Sequence, residues 1–177
     1  MQELIQIFCA TLGTLGFALL FRVRREHLLF ATLGGALSWT AYLAVGFAGA
    51  GVFLSSLTGG VAVCLWSEMM ARWRKAPANV YLIPGIVPLL PGSALYYAME
   101  AVVNEDTEVF TAKGIEALLG AVGIAGGILI ASEIVRCFLV AARFRRRKQQ
   151  EKEAAIAAAL AEAEAREKAE KIREKTS

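Results

Sequence analysis

The residues that could do chemistry in this chain gather in one apolar stretch, Ile83-Pro84-Gly85-Ile86-Val87-Pro88-Leu89-Leu90-Pro91-Gly92-Ser93. Three of the four prolines fall within eight positions there. Each proline removes a backbone donor and its ring collides with the carbonyl four residues earlier, so three together break a helix. A helix that restarts after Gly92 exposes its first amides and the positive end of its dipole, an arrangement that receives an anion. Ser93 is expected to cap that second half, and Tyr96 lies one turn further on. Pro88, Pro91, Gly92, Ser93 and Tyr96 are therefore the candidate substrate-contacting residues. The same pattern also describes a proline-kinked packing helix with no ligand.

Carboxylates inside apolar segments are scarce. Glu116 and Glu133 are the candidates for a proton-coupling role, since an ionisable group within an apolar span marks function by default. Glu116 lies near the end of its segment, and Glu133 has Arg136 three residues on as an ion-pair partner. Enzymatic chemistry has little to draw on. His27 is the single histidine, and Ser93 lacks the Gly-x-Ser-x-Gly nucleophile context. Phosphate-loop and dinucleotide fingerprints are absent. Cys9, Cys64 and Cys137 sit in separate apolar stretches and read as buried, unpaired small hydrophobes. Neither a cofactor nor a metal is expected, and the chain reads as a non-enzyme.

The elements that must position these residues follow from composition. Of 177 residues, 56% are hydrophobic and 20% charged, against about 45–50% and about 25% in soluble domains. The charge is concentrated. Residues 1–142 carry 8 basic and 9 acidic side chains, and residues 143–177 carry 11 and 7. The body has too little polar surface to cover a soluble core, so this is an all-α integral membrane protein. It divides into a transmembrane domain, 1–142, and a basic juxtamembrane run with a charged cytoplasmic helix, 143–177.

A bilayer core needs about 20 apolar residues per helix. Five candidate spans result: Leu4–Phe21, Leu28–Val45, Val52–Met70, Val80–Val103 and Thr111–Val140, the fourth broken by its prolines. With Arg22–Arg25 on the cytoplasmic side, Arg72–Lys75 and Arg143–Lys148 fall on that side too, and the acidic Asn104–Glu108 loop falls outside, as the excess of positive charge in cytoplasmic loops requires. The N-terminus is then outside and the C-terminus cytoplasmic. Trp39, Tyr42, Trp66 and Trp73 read as a headgroup belt. Gly123, Gly127 and Ala131 recur every fourth residue, a stripe that lets another helix approach closely, within the chain or across subunits. The tail is a helix with Glu162/Arg166, Glu164/Lys168 and Glu167/Lys171 pairs. It is either a solvated continuation of the last span or a docking helix.

Val87-Pro88-Leu89-Leu90-Pro91-Gly92, with Tyr96 and Ala98-Met99, resembles the signature of the threonine/serine exporter family, in its small-subunit or YjjB-like module. Gly16-Phe17-Ala18-Leu19-Leu20-Phe21 and Leu33-Gly34-Gly35 resemble that module's first two spans. The resemblance covers about residues 5–142 and carries over Pro88, Pro91, Gly92 and Tyr96. It implies export of threonine and serine, or of short dicarboxylates, across the bacterial inner membrane by a secondary transporter. It also implies a separate YjjP-like membrane subunit supplying the other half, hence a homo- or hetero-oligomer in the lipid bilayer, with no nucleic acid involved. The alternative is a non-transport membrane scaffold whose C-terminal helix recruits a cytoplasmic partner.

Overall fold

The computed structural model describes the backbone of residues 2–176 and the side chains of residues 3–141, together with Phe144, Lys148 and Gln150. Helix α1 covers Gln2–Leu20, α2 Arg25–Phe47, α3 Val52–Arg74, α4 Asn79–Ile86, α5 Gly92–Val103 and α6 Thr107–Thr176. A single 3-10 turn, Val87–Leu89, follows α4. Met1–Val135 forms one compact unit and Arg136–Ser177 a second. The side chains of the tail's charge pairs, and of Arg143 and Arg145–Arg147 in the basic run, lie outside the described residues.

Four stretches are long and apolar enough to cross a membrane: Glu3–Leu20, Arg25–Phe47, Val52–Arg74 and Thr107–Ala141. Together α4 and α5, bent by 47° at their junction, make the fifth, broken span. The last helix begins four residues earlier than hydropathy suggests. Asp106 accepts a hydrogen bond from the Val109 amide at 3.1 Å, and this cap sets the start within the acidic loop.

Side-chain distribution inverts that of a soluble bundle. Leu4, Phe8 and Leu20 are 72%, 63% and 71% exposed, whereas Thr14, Ser38, Ser55, Ser56 and Ser67 are buried. Lipid tails are as apolar as leucine, so no hydrophobic force pulls large side chains inward, and small hydroxyl residues take the contacts between helices. The hydroxyls are satisfied locally where they are deepest: Thr14 donates to the Ala10 carbonyl and Ser67 to the Val63 carbonyl. Of the cysteines only Cys64 is buried. Cys9 and Cys137 face outward, which corrects the expectation that all three pack inside.

Helix α2 is central and touches α1, α3 and α4. Helix α6 lies against α3 through the small-residue stripe. A Cβ on Gly123 would sit 2.6 Å from the Phe53 carbonyl oxygen, and one on Gly127 would collide with the Leu57 carbonyl oxygen. Ala131 on the same face is fully buried. The neighbour of the stripe is therefore internal, and backbone meets backbone only because those positions lack a side chain.

Candidate functional site

The broken span is built by local rules and held by its neighbours. Helix α4 tightens at its end, where the Val87 amide donates to the Pro84 carbonyl. In the 3-10 geometry that follows, the Gly85 carbonyl would take its bond from residue 88, which is a proline and has no N–H. The buried Ser38 hydroxyl of α2 lies 2.9 Å from that carbonyl and donates to it, shared with the Gly35 carbonyl at 2.8 Å. A serine thus re-satisfies a backbone group that the break set free, as irregular backbone within a membrane demands.

Leu90 is extended, and Pro91 precedes the new helix. The Leu95 amide donates to the Pro91 carbonyl at 3.1 Å and opens the ladder of α5. The Gly92 amide turns back to the Leu90 carbonyl at 2.7 Å. The Ser93 and Ala94 amides come before the first helical bond and have no acceptor within the helix. No side chain caps α5, and Pro91 occupies the cap position. The expected cap by Ser93 is corrected on this point: Ser93 is already the second residue of the helix, past the position from which a hydroxyl reaches back to the open amides.

Beside this opening lies a hollow of about 80 Å³. Pro88, Pro91 and Ser93 line it from the break, Trp39 and Tyr42 from α2, Ser56 from α3, and Glu116 from α6. The Trp39 and Tyr42 rings stack at 5.1 Å with 12° between their planes. The Trp39 indole nitrogen is buried and has no acceptor among the described residues. Glu116 accepts an ion-paired hydrogen bond from Lys113 at 2.8 Å. The hollow is therefore walled by the start of α5, by the stacked Trp39–Tyr42 pair and by Glu116 with its one carboxylate.

The structure separates the remaining candidates. Gly92 borders the opening with open space where a side chain would stand. Tyr96 is 64% exposed, pairs edge-to-face with Tyr97 at 5.5 Å and does not line the hollow. Glu133 and Arg136 lie more than four turns beyond Glu116 along α6, on its exposed surface. The headgroup-belt reading is corrected for three residues, one of them Tyr42, which packs on Trp39. Trp39 packs at the break, and Trp66 lies against Gly34 with its indole donating to the Phe30 carbonyl at 2.9 Å. Trp73 is 68% exposed, as a belt residue would be.

Sequence reasoning did not select Trp39, Tyr42, Ser56 or Ser38. A signal existed for three of them. Trp39 and Tyr42 are three apart and share one face of α2, and Ser55-Ser56 is a pair of hydroxyls in an apolar span. Ser38 has no such mark, because its role depends on a carbonyl 47 residues away.

Helices that cross the membrane four or five times, one of them interrupted beside a polar hollow, define a multi-pass membrane protein of the transporter kind. The family model described as Threonine/Serine exporter, ThrE, matches residues 6–134. The chain belongs to the threonine/serine exporter family, and its role is membrane transport of that type. No solved structure matches the chain.

Proposed function

We propose that the chain is one subunit of a bacterial inner-membrane secondary exporter of threonine and serine, with the hollow at the α4–α5 break as its substrate site. The observation that carries this reading is the coincidence of the opened start of α5 at Ser93 and Ala94, the Trp39–Tyr42 pair and Glu116 around one space. An amino-acid carboxylate pairs with the amide end of α5, where the dipole is positive. The substrate ammonium pairs with Glu116 in exchange for Lys113. A second carboxylate would meet Glu116 as a like charge, so a zwitterion fits this hollow better than a dicarboxylate does. None of these groups performs covalent chemistry, and the protein acts as a carrier.

The hollow is far smaller than the roughly 300 Å³ at which small-molecule pockets begin. Loading must widen it, and the break, with its few backbone bonds, is the place that yields. A YjjP-like membrane subunit completes the carrier against the apolar outer faces of α5 and α6. The basic ends of the spans face the cytoplasm, so the N-terminus is outside and the C-terminus inside.

The test is efflux of labelled threonine from cells expressing the chain together with a YjjP-like subunit. Glu116→Gln and Trp39→Phe are expected to impair efflux while the protein accumulates normally in the membrane. Unchanged efflux in both would remove the hollow from the transport path.

A further inference from the structure

A larger cavity lies elsewhere, at the end of the bundle where α1 ends, α2 begins, α3 ends and α4 begins. It measures about 520 Å³, within the range of small-molecule sites. Its walls are of two kinds. Phe21, Val80 and Ile83 form an apolar side, and Arg22, Arg24 and Lys75 bring three cations to it. Arg24 has Glu26 at 3.6 Å, but Arg22 and Lys75 have no acidic partner among the described residues.

Backbone conformation makes those two cations notable. Arg22 has φ 54° and Lys75 φ 52°, both in the left-handed region. Each follows the end of a helix, where glycine or asparagine is the usual choice because a Cβ is disfavoured there. A long basic side chain therefore stands at two strained positions, from two different helices, and both line one cavity. Tyr81 is fully buried, and its hydroxyl is hydrogen-bonded to His27 Nδ1 at 2.7 Å.

We propose that this cavity binds the phosphate headgroup of an anionic phospholipid, with the first part of an acyl chain along Phe21, Val80 and Ile83. Unpaired cations at the ends of spans, combined with an apolar wall between helices, match an amphiphile with a negative head. A zwitterionic amino acid has no use for three cations and a greasy wall. The site is separate from the hollow at the break, so it stands or falls independently of the transport reading.

Native mass spectrometry of the full chain in detergent, titrated with phosphatidylglycerol or with phosphatidylcholine of the same chains, tests the assignment. The first phosphatidylglycerol is expected to bind in preference to phosphatidylcholine. Arg22→Gln with Lys75→Gln should weaken it by about fivefold per charge, about thirtyfold for the pair. Arg25→Gln with Arg72→Gln removes the same charge from the same end without touching the cavity and should leave the first lipid bound. Ile83→Trp, which fills the apolar wall with every cation in place, should displace it as well and covers the case in which the charge variant fails to fold. Equal affinity for the two lipids, or equal loss in both charge pairs, would overturn the proposal. Displacement of the lipid by millimolar inorganic phosphate would assign the cavity to a free anion and overturn it too.

Discussion

The Ser38 hydroxyl stands 2.9 Å from the carbonyl oxygen of Gly85, joining α2 to the first half of the broken span. That one bond replaces the donor that Pro88 lacks. Ser38→Ala leaves a buried carbonyl unsatisfied and is expected to lower stability by about 1 kcal/mol. Thr40→Ala, which removes an exposed bond to the Ala36 carbonyl of its own helix, should change little. Thermal unfolding of both variants in detergent compares them directly.

Trp39 gives a prediction with two opposite signs. Trp39→Phe keeps a ring against Tyr42 and removes a buried N–H that has no acceptor among the described residues. The substrate-free protein should be as stable as the parent or more so, by up to about 1 kcal/mol. Threonine efflux should fall, because Trp39 lines the proposed site. A drop in stability with normal efflux would make the indole a packing group only.

Two carboxylates of α6, Glu116 and Glu133, should behave differently. Glu116→Gln removes a charge-assisted contact worth about 1.5–3 kcal/mol, and efflux at low substrate should fall by roughly tenfold or more. Glu133→Gln, distant along the helix and outside the hollow, should leave efflux within about twofold of the parent. Labelled-threonine efflux at several substrate concentrations measures both.

Two neighbouring glycines of α6 separate packing from composition. Gly127→Ala places a methyl group against the Leu57 carbonyl, and overpacking should cost about 1–3 kcal/mol. Gly126→Ala meets nothing within 4 Å and should be neutral or slightly stabilising, given alanine's higher helix propensity. Unfolding in detergent resolves the pair.

At the break, Gly92→Ala should be tolerated, because its Cβ would enter open space. Pro88→Ala with Pro91→Ala restores donors in mid-span and should straighten it. Efflux is then expected to vanish while circular dichroism shows equal or greater helix content.

Much of this protein was legible in its amino acids. The length of the apolar runs requires helices, since no other open structure can satisfy its backbone in lipid. Three prolines in eight positions require an interruption of the fourth span. The glycine spacing in residues 123–131 requires a close helix neighbour. Each of these is local, decided within a few turns of chain. What surrounds the interruption is not local. The amino acids contain no rule that sends Ser38 to Gly85, brings Glu116 beside Pro91 or turns Tyr96 away. In lipid every apolar face is equally content to lie outward, so hydropathy does not orient one span about its axis relative to another. Tertiary packing of α2, α3 and α6 around the break made that choice, through backbone contacts that glycine permits and one hydroxyl that satisfies a freed carbonyl.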